Sequence, residues 1–296
     1  MKQGRFTFTL EEVAQVFSKQ HQTLHMAMRR LVRMERVTRV RNGFYVIIPV
    51  HLGKPPCPLF IHDLMRFLNR SYYLGLTSAS SFYTIESQIP QVWTVMTSKP
   101  TLRTIYLNDC SISFILKNEM PQTGIQMHNM ESGSLHVSSP ILTALDLIQY
   151  QRQSGGFNRI VEMIVNLSPL MTSKDLQHVL INKFPDTVLQ RFGYICDTIL
   201  NRSDLREIIY DYLKNKSLHA VSLSPSAKTR SGVIHKIWQI IENVDELKRI
   251  QIWAVRQLAG HNTQEYTLRS DMPEQHGDST AGSLEDLLNQ LILDID

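Results

Sequence analysis

Arg29, Arg30, Arg33, Arg39 and Arg41 crowd one short stretch of a 296-residue chain. Guanidinium groups bind phosphate oxygens and guanine edges, so a cluster of this kind points to a polyanion. Gln22, Thr23, His25 and Met26 lie just upstream, and glutamine and threonine address base edges by hydrogen bonding. Signs of catalysis are weaker. Ser78, Ser80 and Ser81 have no Gly-x-Ser-x-Gly elbow and no paired His and Asp in reach. His62 and Asp63 are neighbours and leave a helix on different faces, while His128 and His136 fall in separate runs. No His-Glu-x-x-His, Walker loop or Gly-x-Gly-x-x-Gly occurs, and Cys57, Cys110 and Cys196 form no Cys-x-x-Cys pair. The cysteines read as small buried hydrophobes. The residues therefore suggest a binding protein that is not an enzyme and uses neither metal nor cofactor.

The elements around the arginines are legible. Thr9 followed by Glu12 is a capping-box pattern, so a helix starts at about Leu10 and turns Leu10, Val13, Ala14 and Phe17 inward. Ser18 to Gln22 is a polar turn. A second helix carries Leu24, Ala27, Met28, Leu31 and Met34 on one face, with His25, Arg29 and Arg33 at every fourth position on another. Asn42-Gly43 between two β-prone runs predicts a hairpin whose two turn residues both take positive φ. Arg39 and Arg41, two apart, then leave one face of the strand, and Val37, Val40, Val46, Ile47 and Ile48 anchor the hairpin on the helices. Tyr45 is equally suited to a core ring and to a phosphate donor.

Two helices followed by a basic hairpin match the order of a winged helix-turn-helix, in which the second helix enters the major groove. The expected contacts to double-stranded operator DNA are Gln22, Thr23, His25, Met26, Arg29, Arg30 and Arg33 from the helix and Arg39, Arg41, Asn42 and Tyr45 from the wing. Two copies on a palindromic site would suit that geometry.

Charge supports this. The net charge is +4, but residues 1–49 hold nine lysines and arginines against three carboxylates, whereas residues 251–296 hold two against eight. Basic residues that neutralise phosphates release counterions and so drive association. No apolar run approaches the ~20 residues of a membrane span, and the start lacks a signal-peptide core, so a cytoplasmic protein with no membrane partner is expected.

Beyond a proline-rich linker at 50–58, the pattern predicts a larger helix-rich α+β domain over 59–250. "LFIHDLMRFLN" and "YYLGLTSASSFY" read as helices, and runs between Gln91 and Val137 read as a small antiparallel sheet. Helices then follow from Ser139, Gly155, Thr172 and Pro185. Lys228, Arg230, Lys236, Lys248 and Arg249 form a second basic group. The acidic tail, 251–296, carries an amphipathic stripe of Leu284, Leu287, Leu288, Leu291 and Ile292 behind Ser283.

The N-terminal pattern, with "RNGFYVIIP", "YYLGLTSASSFY" and "QVWTVMTSK" and then "SSPILTALDLIQY", "VLQRFGYICDTIL" and "VSLSPSAKTRSGVIHKIWQIIENVD", resembles the AbiEi antitoxins of bacterial type IV toxin-antitoxin systems over approximately residues 6 to 245. The resemblance implies a winged-helix DNA-binding domain joined to a larger antitoxin domain. It implies an autorepressor that binds its own operon promoter and counteracts a nucleotidyltransferase-like toxin, not necessarily by touching it. A ligand-responsive winged-helix transcription factor and a direct toxin-sequestering inhibitor are the alternatives. Residues 251–296 fall outside the resemblance.

Overall fold

The structure, a computed structural model, describes residues 6–17, 21–50, 52–83, 90–130, 133–229 and 231–261. Its first elements are β1 (Thr7–Thr9), α1 (Leu10–Phe17), α2 (His21–Arg33), β2 (Val37–Arg41) and β3 (Phe44–Ile47). There follow α3 (Ile61–Phe67), β4 (Tyr72–Leu74), α4 (Leu76–Tyr83), β5 (Val92–Thr97), β6 (Ile105–Tyr106), β7 (Ser111–Leu116), β8 (Ile125–Met130) and β9 (Gly133–Ser138). The remainder is α5 (Pro140–Gln149), α6 (Phe157–Leu167), α7 (Ser173–Val179), α8 (Asp186–Thr198), α9 (Ser203–Leu213), β10 (Val221–Ser222), β11 (Val233–His235), β12 (Ile240–Glu242) and α10 (Leu247–His261). The class is α+β. Lys2, Arg5, Lys19, Arg230 and the apolar stripe of the tail lie outside the described residues, as do residues 18–20 of the expected turn.

In the N-terminal module the capping box forms in both directions. Glu12 N donates to Thr9 Oγ1 at 3.1 Å, and Thr9 N donates to Glu12 Oε2 at 2.8 Å, which satisfies two amides that the helix start leaves open. Leu10 and Val13 of α1 and Leu24, Ala27, Met28 and Leu31 of α2 are buried with Phe8, Val37 and Tyr45 in one small core. Both helices thus follow their apolar stripes. Met34, however, is exposed beyond the end of α2.

The three strands of this module lie in the order β1-β3-β2. The turn places its positive φ on Gly43, at +78°, and not on Asn42. The register shifts between Arg39 and Arg41, a β-bulge that accommodates the turn by adding a residue to one strand. That bulge corrects the expectation that Arg39 and Arg41 share a face.

The larger domain corrects the expected antiparallel sheet. Its six strands run β6-β7-β5-β4-β9-β8, with β5 parallel to β7 and β4 parallel to β9, the other pairs being antiparallel. Tyr72–Leu74, read as the start of a helix, is the strand β4. Pairing with β5 and β9 overrides the local pattern there, and Gly75 follows because a Cβ would meet Met96 Cγ at 2.6 Å. α5 is buried on nearly all sides and packs against α4, α6, α7 and α8, which is why its sequence is mostly apolar, with Thr143 and Asp146 as buried polar exceptions. Ser139 caps it, accepting from Leu142 N at 3.3 Å, with Pro140 in the first turn. The α9 helix and the small β10-β12-β11 sheet complete the domain. α10 runs through residues 250 and 251, so the expected start of the tail falls inside a helix.

Candidate nucleic-acid interface

Amphipathic α2 has one face committed to the core, and its other face carries the candidate contacts. Gln22, Met26, Arg29, Arg30 and Arg33 are exposed, Met26 by 67%, and Thr23 and His25 are half-buried. Arg30 and Arg33 also sit in the last turn, where cations complement the helix dipole. Arg36, Arg39 and Asn42 are exposed on the neighbouring turn and hairpin. The arginines among these residues, Arg29, Arg30, Arg33, Arg36 and Arg39, are all exposed.

Tyr45 and Arg41 are placed elsewhere. Tyr45 is buried, and its ring stacks on Phe8 with centroids 5.5 Å apart. Arg41 turns toward the larger domain, where Nη2 donates to Arg103 O at 2.6 Å and the guanidinium lies 6.0 Å from the Phe114 ring centroid. The alternation of β3 explains the burial of Tyr45. Tyr45 and Ile47 face the helices, whereas Phe44 and Val46 join the core of the larger domain together with Val40. Phe44 lies 5.2 Å from the Phe67 ring, and Thr7 Oγ1 donates to Asp63 Oδ2 at 2.5 Å. Val40 and Val46 therefore anchor the hairpin on the larger domain and not on the helices, because the strands are covered on both faces.

Several polar groups that are scattered in sequence come together in the larger domain. His62, Tyr72 and His136 form a ring cluster, with the two histidines 5.4 Å apart and His62 Nδ1 3.2 Å from Tyr72 Oη. Burial and then the neighbouring His136 pull the His62 pKa down, and burial pushes the Tyr72 phenol up. Deeper in, Lys117 donates to Asp146 and, at 2.9 Å, to Tyr73 Oη, while Tyr73 donates to Asp146 Oδ2 at 2.6 Å. Burial raises the Asp146 carboxyl and the Lys117 ammonium opposes it. Each member of this triad is satisfied by the others, which suits a structural network more than a reacting one.

The serines are occupied too. Ser78 Oγ accepts from Thr94 N at 2.7 Å and donates to Val92 O, and Ser81 Oγ donates to Ser78 O. The Cys57 and Cys110 thiols meet by hydrogen bonding, with Cys57 pushed up chiefly by burial, while Cys196 is fully buried. Among the described residues no group of three or more His, Cys, Asp or Glu side chains could hold a metal ion. No helix among them is long and apolar enough to cross a membrane. Of the second basic group, Lys228, Lys236, Lys248 and Arg249 are exposed, and Arg249 pairs with Glu246 at 2.7 Å.

Comparison with known proteins places the larger domain. Residues 73–198 match the family model described as the AbiEi antitoxin C-terminal domain, which bears out the resemblance seen in the sequence. The fold is similar to that of the RV2827C protein from Mycobacterium tuberculosis, with a TM-score of 0.59, 14% sequence identity, and 86% of this chain and 90% of that chain covered. No curated protein sequence matches the chain.

Proposed function

We propose, from an AbiEi antitoxin C-terminal domain carried on residues 73–198, that the protein is an antitoxin that represses its own operon and counteracts a nucleotidyltransferase-like toxin. In this reading the N-terminal module is a winged helix-turn-helix. α2 lies in the major groove, with Gln22, Thr23, His25 and Met26 near base edges and Arg29, Arg30 and Arg33 on phosphates, while Arg39 and Asn42 extend the contact as the wing. Two copies on a palindromic operator would suit this reading.

The observation that supports this best is the division of labour on one helix. The side of α2 with Leu24, Met28 and Leu31 is consumed by the core, and Gln22, Arg29, Arg30 and Arg33 of the same helix are exposed, as is Arg39 of the hairpin. Arg41 and Tyr45 take structural places, so the reading assigns DNA contact to Arg39 without them.

Gel-shift titration on the protein's own promoter over a range of salt tests this. Arg39→Ala is expected to weaken binding and to reduce the slope of log affinity against log salt by about one phosphate contact. Arg41→Ala is expected to leave that slope alone and to lower the melting temperature. Equal slopes for Arg39→Ala and wild type would remove Arg39 from the interface. Rescue of growth on co-expression with the neighbouring toxin gene tests the antitoxin half, and co-purification of the toxin would favour sequestration.

A further inference from the structure

A cleft of ≈ 350 Å³ opens in the larger domain between the end of α5 and the start of α8, lined by Tyr150, Gln151, Arg152, Pro185, Arg191 and Pro225 among others. Its polar groups are conspicuous for what they lack. Arg191 is partly buried, yet its partners are two neutral carbonyls, with Nε donating to Ser222 O at 2.9 Å and Nη1 to Thr187 O at 3.3 Å. Among the described residues no carboxylate pairs with it, and burial alone pulls its pKa down. A desolvated cation without a counter-charge is costly. Gln151 is 4% exposed, and its Oε1 accepts from Ser224 Oγ at 3.2 Å, but its buried Nε2 has no acceptor. A buried amide hydrogen left unpaired is rare and marks a place for a missing partner.

We propose that this cleft binds a small phosphorylated molecule of mononucleotide size, with its phosphate held by Arg191, Gln151 and Arg152. The unpaired Gln151 Nε2 is a donor and Arg191 is a cation with no carboxylate beside it, so the ligand supplies an acceptor and negative charge. Arg152 is exposed at the rim, where it adds a second guanidinium. The first turn of α8 adds the amides of Asp186 and Thr187, since Pro185 offers no side-chain cap and, among the described residues, only Val188 N of that turn is bonded, to Pro185 O at 2.9 Å. Asp186 in that turn is an opposing charge, and Lys216 neutralises it at 2.6 Å. The volume lies at the lower end of small-molecule sites and exceeds the need of a bare ion, and Pro185, Pro225 and Tyr150 provide apolar walls for the rest of the ligand. The inference stands on the larger domain alone and is independent of the DNA-binding reading.

Calorimetric titration of the full chain at fixed ionic strength tests it, with inorganic phosphate, the four ribonucleoside 5′-monophosphates and uncharged adenosine as probes. At least one monophosphate is expected to bind more tightly than inorganic phosphate, and adenosine not at all. Arg191→Gln should weaken that binding by about tenfold or more. Gln151→Glu, which keeps the shape and adds a repelling charge, should abolish it, and this second variant covers the case in which Arg191→Gln fails to fold. Arg29→Ala/Arg33→Ala should leave it unchanged. Absence of binding by every monophosphate, undiminished binding in Gln151→Glu, or loss in Arg29→Ala/Arg33→Ala would each overturn the proposal.

Discussion

At the scale of residues, the histidines show how a fold changes what a side chain does with protons. His62 is held below its ordinary value of 6.5, first by burial and then by His136, and burial lowers His128 as well. A histidine lowered in the folded state leaves the unfolded chain binding more protons below 6.5. The stability it contributes is therefore complete above that pH and is lost as pH falls through the folded value. Melting temperatures measured from pH 7 down to pH 5 are expected to fall, and to fall less steeply in His62→Asn, with His128 accounting for part of what persists. An identical slope in the variant would mean that the ring cluster carries none of the pH dependence. His62 and His136 are individually plain in the sequence, but their meeting is not. They are joined only because α3 crosses β9 beside β4, and nothing within a few residues of either encodes that.

At the scale of elements, the most exacting contact is the one between α8 and the small sheet. A Cβ on Gly193 would meet the Trp238 ring at 2.2 Å, and Trp238 is buried with its Nε1 donating to Asp197 Oδ2 at 2.8 Å. Gly193→Ala gains helix propensity of roughly 1 kcal/mol but must push aside an indole that is buried and hydrogen-bonded through Nε1. Overpacking of this kind costs about 1–3 kcal/mol or more, so a net loss of stability is expected in a chemical denaturation curve. A stabilised variant would show that the indole yields. The start of α8 was evident from Pro185, and the stripe Leu24, Ala27, Met28 and Leu31 of α2 was evident from its period. The six-stranded sheet was less so, since parallel pairs such as β5 with β7 join runs that have no turn between them to set the register.

At the scale of the whole molecule, the hairpin of the N-terminal module is shared between two cores. Phe8, Val37 and Tyr45 face the helices, and Val40, Phe44 and Val46 enter the larger core. The small core is modest for an independent domain, so the two parts are expected to unfold together, with one endotherm in scanning calorimetry. Phe44→Ala should remove roughly 3–5 kcal/mol and, by loosening the seam, separate the two transitions. Two endotherms in the wild type would show that the modules are independent. The same sharing explains Arg41, which the bulge at the turn sends to Arg103 and Phe114, leaving Arg39 to face solvent.

The sequence by itself determined the capping box at Thr9 and Glu12, the core faces of α1 and α2, the hairpin at Asn42-Gly43, the helix start at Ser139 and the concentration of positive charge in the first 49 residues. These depend on neighbours within one or two turns of chain, so local spacing contains them. Only the tertiary structure decided that Tyr45 is a core ring, that Arg41 serves the seam, that Tyr73, Lys117 and Asp146 satisfy one another, and that a cleft is lined by Arg191, bonded to carbonyls and to no carboxylate, and by Gln151, whose Nε2 has no acceptor. Burial and pairing are set by residues far apart in the chain, and their free energies arise only when the layers close.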